Sequence, residues 1–140
     1  MKQLLLIFIC MLSLLSCDKQ VVNNKAIDGQ WTIADFTMVD YNGIKQKPVC
    51  EGTCELTKDG KKSNSGKYRM DLHFSYNGEP ASYSETGTYV FKTNNELTFT
   101  EDTSHVETAV TLVYKTKEDL VLEIPNKAFL GYYLVFKRVK

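Results

Sequence analysis

Two cysteines, Cys50 and Cys54, stand close together in the segment KPVCEGTCEL. Thiols at such short spacing serve as metal ligands, haem attachment points, redox couples or disulfides. A c-type haem requires C-x-x-C-H, but three residues separate these cysteines and Glu55 follows the second one. A structural zinc site needs four ligands, and the two histidines, His73 and His105, are isolated. The pattern therefore favours a structural disulfide between Cys50 and Cys54, with redox or metal use as the alternative, and predicts neither a bound metal nor a cofactor.

A second group of reactive side chains lies near one predicted strand-to-strand turn and comprises Glu101, Asp102, His105 and Glu107. Such residues could form an acid/base or metal site, but a run of charges in a turn is usually a solvated surface. The sequence contains no nucleophile motif and no phosphate-binding loop. We therefore expect no catalytic residues and no enzymatic activity. An enzymatic alternative would depend on His105 with Glu101 or Glu107.

The N-terminus has the form of an export signal. Lys2 precedes an apolar run over residues 4–15, which is followed by Ser16 and Cys17. A charged n-region and an apolar h-region in this order are typical of a secretory signal peptide. The run is shorter than the roughly 20 apolar residues that a membrane-spanning helix requires. Export exposes the chain to an oxidising compartment, which supports the disulfide prediction.

The stretch Leu14-Leu15-Ser16-Cys17 resembles the lipobox of bacterial lipoproteins. The resemblance implies removal of residues 1–16, lipidation of Cys17 and a lipidated tether over residues 17–28. It also implies a place in the bacterial cell envelope, anchored to a membrane by the N-terminal lipid, with the outer membrane expected and its periplasmic or surface face left open. An ordinary signal cleaved near Ser13 or Ser16 is the alternative, in which Cys17 keeps a free thiol.

Charge excludes one class of partner. The chain has 17 basic and 17 acidic residues. Nucleic-acid binding requires a clustered excess of Lys and Arg. We therefore expect no nucleic-acid partner.

The remaining chain reads as all-β. Apolar residues at 68, 70, 72, 74 and 76 alternate with polar ones, which is the period of a strand with one buried face. Turn residues bound seven further candidates, so the predicted strands are 30–40, 53–58, 68–76, 85–92, 96–101, 106–115, 120–124 and 131–139. Short connections favour antiparallel neighbours, and eight such strands can close into an up-and-down barrel. A two-sheet sandwich is the alternative.

Gly29-Gln30-Trp31 resembles the G-x-W motif that opens the lipocalins and the wider calycin group, and Arg138 resembles the arginine of their last strand. The later segments, including Gly87-Thr88-Tyr89 and the Asn94-Asn95 turn, are similar to the lipocalin-like domains of bacterial lipoproteins. The resemblance implies a barrel over residues 29–140, closed where Arg138 lies across Trp31. A C-terminal helix and the second lipocalin motif are not evident.

The aromatic residues suggest what the barrel would do. The chain has eight tyrosines, seven phenylalanines and one tryptophan. A barrel of eight strands is either filled by side chains or holds one small ligand. We predict binding of a small hydrophobic or amphipathic ligand in the interior, with the candidate residues Tyr68, Met70, Leu72, Phe74, Tyr76, Tyr89 and Phe91. The alternative is a filled barrel that binds an envelope protein or a glycan through loops 41–48 and 78–84.

Overall fold

The computed structural model of the protein describes residues 27–125 and 131–140. It contains one antiparallel sheet in the order β2-β1-β3-β4-β5-β6-β7-β8-β9, with an additional pairing between β1 and β9. The strands are β1 (Gly29–Val39), β2 (Lys45–Gln46), β3 (Cys50–Lys58), β4 (Ser65–Tyr76), β5 (Glu79–Phe91), β6 (Glu96–Glu101), β7 (Glu107–Lys115), β8 (Asp119–Ile124) and β9 (Gly131–Arg138).

Pairing of the first and last long strands closes the sheet into a barrel. β1 and β9 are paired from Trp31 opposite Arg138 to Val39 opposite Gly131. β2 contributes only two residues and pairs with Met38 and Val39 at the end of β1. β3 pairs with the same edge of β1, near its start at Gly29. The barrel wall thus has eight strands, each antiparallel to its neighbours in chain order. The predicted closed up-and-down barrel is confirmed, and the sandwich alternative is wrong.

The hairpin of β4 and β5 is longer than the sequence pattern indicated. Its two strands pair without interruption from Ser65 opposite Val90 to Tyr76 opposite Glu79. Asn77 and Gly78 have φ values of 52° and 83°, so both adopt the left-handed conformation that a two-residue type I′ turn requires. Residues 79–84, which the sequence analysis placed in a loop, therefore belong to β5. β3 also starts earlier than predicted, at Cys50, and the predicted two-residue turn at Asn94-Asn95 is part of a four-residue connection over 92–95.

Two glycines sit under tyrosine rings inside this hairpin. Gly66 is paired with Tyr89, and Gly87 is paired with Tyr68. A Cβ atom on Gly66 would lie 2.7 Å from Tyr89 Cε1, and one on Gly87 would lie 2.8 Å from Tyr68 Cε1. Because glycine has no side chain, the Tyr89 and Tyr68 rings can pack directly against the backbone of the barrel wall. Glycine within a strand also allows the wall to curve tightly.

The two ends of the barrel differ. The closed end is where β1 begins and β9 ends, and the open end is where β1 ends and β9 begins. Ile27 is fully buried at the closed end. The Asp28 side chain accepts a hydrogen bond from the Lys58 amide at 2.9 Å. Ile27 and Asp28 are thus part of the packed domain, whereas the sequence analysis assigned them to the tether.

The other predictions for the N-terminus lie outside the described residues. They are the signal peptide, the lipobox with Cys17 and the tether up to residue 26. Within residues 27–125 and 131–140, no helix is long and apolar enough to cross a membrane.

Candidate functional site

Trp31 and Arg138 seal the closed end. The Trp31 side chain is fully buried, and its indole N–H donates to the Ile27 carbonyl at 2.8 Å. The Arg138 guanidinium carbon lies 4.2 Å from the centroid of the Trp31 ring. The same guanidinium donates to the carbonyls of Lys117 and Asp28, each at 2.7 Å. Arg138 therefore joins three chain segments over the indole, and the buried Trp31 side chain fills this end of the barrel.

The middle of the barrel is filled by side chains. Five of the seven predicted ligand-binding residues are almost completely buried there, namely Tyr68, Met70, Leu72, Tyr89 and Phe91. The Tyr68 and Phe99 rings stack with centroids 4.1 Å apart, and the Tyr89 ring meets Phe91 edge-on at 6.1 Å. These rings contact one another as core residues do. The structure thus places most of the predicted ligand-binding set in the packed core.

The remaining two predicted residues, Phe74 and Tyr76, are only partly buried and lie at the open end, where β4 approaches its turn. They belong to a group of inward-facing residues that we call the open-end cluster: Phe36, Phe74, Tyr76, Tyr83, Glu85 and Tyr132. Phe36 holds the group together, with its ring centroid 4.9 Å from that of Phe74 and 5.4 Å from that of Tyr132. The cluster brings β1, β4, β5 and β9 to one site.

Glu85 is the polar centre of the cluster. It lies on β5 on the same face as the buried residues Gly87 and Tyr89, so its carboxylate points into the barrel. One carboxylate oxygen accepts a hydrogen bond from the Tyr68 hydroxyl, and the other accepts one from the Tyr83 hydroxyl at 2.6 Å. A carboxylate has about four acceptor positions, so it can still bind a donor from a ligand.

The tyrosines of the open end lie close to the negative charges of Glu85 and Glu101. Burial raises the pKa of Tyr83, and the hydrogen bond to Glu85 and the negative charges of Glu85 and Glu101 raise it further. Burial also raises the pKa of Tyr68, followed by the hydrogen bond to Glu85, the charge of Glu85, the neighbouring Tyr83 and the charge of Glu101. Burial and the neighbouring Tyr76 raise the pKa of Tyr132. The tyrosine hydroxyls therefore stay protonated at neutral pH and remain hydrogen-bond donors around two carboxylates.

Sequence reasoning predicted Tyr68 as a ligand-binding residue but did not place Glu85 or Tyr83 in the interior. Residues 79–84 were predicted as a loop, so the alternation of inward residues Ala81, Tyr83 and Glu85 was not used. The strong turn signal at Asn77-Gly78 could have revealed it, because a two-residue turn requires strand residues on both sides. Extending β5 back to residue 79 places Tyr83 and Glu85 inside the barrel.

The predicted disulfide is not formed, and the two thiols are free. Cys50 and Cys54 lie in one continuous strand, paired with Phe74 and Met70 of β4. Four residues of extended chain place their Cα atoms about 13 Å apart. A disulfide requires less than about 7 Å, so the bridge is incompatible with this strand.

The environment of the thiols also disfavours the reactive thiolate. Burial, and secondarily the charge of Glu55, raise the pKa of Cys54 to about 12. Burial and the charge of Glu51 raise the pKa of Cys50 to about 11. Since the thiolate is the form that attacks disulfides and binds metals, both cysteines act as small apolar residues of the barrel wall.

Hydrogen bonds to Glu101 hold the acidic turn after β6. The Glu101 carboxylate accepts a hydrogen bond from the Ser104 hydroxyl, and the Glu101 carbonyl accepts one from the His105 amide at 3.0 Å. His105 has a φ of 55° within this tight turn. Among the described residues, no three His, Cys, Asp or Glu side chains are grouped as metal ligands.

Comparison with known proteins adds to the description of the fold. No protein-family model and no curated protein sequence matches the chain. Among similar solved structures, a de novo designed fluorescence-activating beta barrel is 16% identical, with a TM-score of 0.52 over 83% of this chain and 96% of that chain. A redesigned beta barrel is 14% identical, with a TM-score of 0.49 over 84% of this chain and 95% of that chain. The similarity to the first of these supports the closed eight-stranded barrel, which is consistent with a lipocalin-like fold.

Proposed function

We propose that this protein is a lipid-anchored, non-enzymatic barrel of the bacterial cell envelope that binds a small amphipathic molecule at its open end. The open-end cluster carries the proposal, because it places a carboxylate among aromatic rings above a filled core. An apolar body would contact Phe74 and Tyr132, which pack against the buried Phe36, and a hydrogen-bond donor on the ligand would reach Glu85. The ligand would enter the mouth only, since the interior below it is occupied by side chains.

This proposal differs from the expectation of a ligand along the whole interior. Tyr89 and Phe91 lie in the closed half of the barrel and would support the wall without touching the ligand. Tyr68 would act through its hydrogen bond to Glu85. Sites of this kind, largely apolar with few directed polar groups, are the usual form of small-molecule pockets.

A binding experiment with matched variants tests the site. Full-length protein would be titrated with environment-sensitive amphipathic dyes that carry neutral, anionic or cationic head groups. We expect Tyr83→Ala to weaken binding at least tenfold, or about 1.4 kcal/mol, because it removes a wall ring and a partner of Glu85. Ser84→Ala changes the next residue, on the outer face of the same strand, and should bind as the wild type does. Equal binding by both variants would refute the open-end site.

The anchoring is proposed from the lipobox resemblance alone. Cys17 would carry the lipid, and the resemblance favours the outer membrane. Mass spectrometry of the protein from membranes should show an acylated N-terminal cysteine, and Cys17→Ala should move the protein out of the membrane fraction. Retention of the variant in the membrane would contradict this part of the proposal.

A protein- or glycan-binding role is the second candidate, and exposed apolar residues favour it. Tyr41 and Ile44, between β1 and β2, and Val49, between β2 and β3, expose 67%, 57% and 82% of their surface. Exposed apolar side chains on the loops of a rigid scaffold are typical of contact surfaces. Capture of an envelope component that is lost on changing all three residues to serine, with dye binding unchanged, would favour this candidate.

A further inference from the structure

Exposed lysines are gathered at the closed end of the barrel. The connections β3–β4, β5–β6 and β7–β8 lie at this end, as do residues 139–140 after β9. Each of these four segments contains at least one exposed lysine. The five together, which we call the lysine ring, are Lys61, Lys62, Lys92, Lys117 and Lys140. Because the segments follow different strands of the wall, the positive charges are spread around this end of the barrel.

The two ends carry opposite excess charge. We count the described segments between strands at each end, the residues before β1 and after β9, and the strand residues that adjoin them. The closed end then has eight basic side chains, Lys58, Lys61, Lys62, Lys92, Lys115, Lys117, Arg138 and Lys140, and five acidic ones, Asp28, Asp59, Glu96, Glu118 and Asp119. The open end has two basic side chains, Lys45 and Lys47, and five acidic ones, Asp40, Glu79, Glu101, Asp102 and Glu107. A chain with balanced charges is thus polarised along the barrel axis.

Several acidic side chains of the closed end are bound to donors of the protein itself. The Asp28 carboxylate accepts a hydrogen bond from a backbone amide of β3 at 2.9 Å. The Asp59 carboxylate accepts one from the Ser65 hydroxyl at 2.7 Å. Asp119 forms an ion pair with Lys137. Among the described residues, no carboxylate forms an ion pair with a member of the lysine ring. The ring therefore presents its charge to the surroundings.

A basic cleft lies within the same surface. Its volume is about 360 Å³, and it lies between the β7–β8 connection and the end of β9. The residues that line it are Lys117, Glu118, Lys137, Arg138, Val139 and Lys140. Four basic residues against one acidic residue favour a phosphate group, because lysine and arginine form charge-assisted hydrogen bonds with phosphate oxygens.

We propose that the lysine ring docks the closed end on the anionic phospholipid headgroups of the membrane that holds the N-terminal lipid, an inference that rests on the anchoring in the proposed function. The chain enters the barrel at Ile27, which is buried at the closed end. Ile27 follows the lipidation position Cys17 by ten residues. Such a tether spans at most about 35 Å. The lipid therefore joins the membrane to the end of the barrel that carries the ring.

Electrostatics then orient the barrel. A lysine close to an anionic membrane strengthens binding about fivefold. The acidic rim of the open end is repelled by the same surface. The mouth with the open-end cluster therefore faces away from the membrane, where a ligand can reach it from the aqueous phase.

Lysine acetylation on vesicles tests the docking. The protein purified from membranes would be reconstituted on vesicles of phosphatidylcholine alone and on vesicles with about one third phosphatidylglycerol. A water-soluble reagent would acetylate exposed lysines, and peptide mass spectrometry would measure each site. We expect labelling of Lys61, Lys92 and Lys117 to fall at least threefold on the anionic vesicles, and labelling of Lys45 and Lys47 to stay unchanged. High salt should abolish the protection, because it screens the charges.

Two double variants provide matched controls. Lys61→Gln with Lys62→Gln removes two charges from the ring, and protection of its remaining members should fall at least twofold. Lys45→Gln with Lys47→Gln removes two charges from the open end and should leave the protection as in the wild type. All four side chains are exposed, so circular dichroism should show unchanged folding. Equal labelling on both kinds of vesicle would overturn the inference, and so would protection of the open-end lysines in place of the ring.

The same experiment separates docking from anchoring. A protein without the lipid would stay off the phosphatidylcholine vesicles, which would contradict the anchoring, yet docking still predicts capture by the anionic vesicles. Failure to bind either kind of vesicle would overturn both proposals. Firm association with both kinds of vesicle and the same labelling pattern on each would overturn docking alone.

Discussion

The guanidinium of Arg138 lies over the indole of Trp31, 4.2 Å from the ring centroid, and the two residues are directly paired between β1 and β9. The contact joins the first strand of the barrel to the last. It also covers a fully buried aromatic side chain at the closed end. Because Arg138 binds the carbonyls of Lys117 and Asp28 as well, one side chain fastens three parts of the chain that are distant in sequence.

Arg138→Ala should lower the free energy of unfolding by about 2–3 kcal/mol, since it removes a cation–π contact and two charge-assisted hydrogen bonds. Arg138→Lys should restore only part of the loss, because an ammonium lacks the planar fork that reaches both carbonyls over the ring. Urea denaturation followed by Trp31 fluorescence would measure this. Arg69→Ala, on the outer face of β4, is the control, and an equal loss there would contradict the role of Arg138.

Gly87→Ala should destabilise the barrel by about 1–3 kcal/mol through overpacking. Its Cβ would lie 2.0 Å from the Thr100 carbonyl oxygen and 2.8 Å from the Tyr68 ring, and backbone cannot yield as a flexible side chain does. Gly60→Ala is the matched control, since nothing lies within 4 Å of its Cβ. Thermal unfolding should separate the two variants clearly. Equal melting temperatures would show that the Gly87–Tyr68 pair does not shape the wall.

The cysteines should remain thiols in the folded protein after export. Intact mass measured under native conditions should show no loss of two hydrogens, and maleimide should label the half-buried Cys50 before the buried Cys54. After unfolding, the strand no longer separates the thiols, and mild oxidation should then form the bridge. A native-state bridge with an unchanged circular dichroism spectrum would contradict the continuous strand β3.

The buried thiols also predict a pH dependence of stability. Burial raises the pKa of Cys54 from 9.0 to about 12, so the folded state keeps its proton where the unfolded state has lost it. The contribution of this group is therefore constant below about pH 9 and is lost between pH 9 and pH 12. Cys54→Ala should flatten the decline in the free energy of unfolding over that window. Curves of equal slope for the two proteins would argue against burial of the thiol.

Glu85 should control the titration of the open-end tyrosines. The pKa of Tyr83 is raised above its ordinary value of 10.0 by burial and then by the Glu85 carboxylate. Glu85→Gln removes the charge and keeps the shape, so Tyr83 and Tyr68 should ionise at lower pH than in the wild type. Ultraviolet absorbance of phenolate during an alkaline titration would measure the change. Glu107→Gln, at the start of β7 and exposed, should leave the curve unaltered.

The sequence was sufficient for the architecture because strand formation and turn formation depend on local patterns. Alternation over residues 68–76 and the Asn77-Gly78 turn predicted a hairpin, and short connections then required antiparallel neighbours. The strand limits were less predictable. β5 begins with Glu79 and Pro80, which are poor strand residues on their own, and their pairing with β4 outweighs this propensity.

The candidate site could not be derived in this way, because it depends on which residues meet across the barrel. Phe36, Tyr83 and Tyr132 come from three strands, and only closure brings them around one mouth. Which inward residues lie in the filled core and which at the open end likewise depends on packing. Tyr68 and Tyr76 both face inward on β4 and differ only in their distance from the turn.

The cysteine pair shows the same division between local pattern and tertiary structure. Close spacing and an export signal pointed to a disulfide, yet pairing with β4 holds Cys50 and Cys54 in extended chain and keeps them apart. The sequence by itself determined the period of the strands, the turns and the Trp31 and Arg138 positions, because these are properties of neighbours or short motifs. Tertiary structure alone decided which thiols, rings and carboxylates share a space, because long-range strand pairing sets those distances.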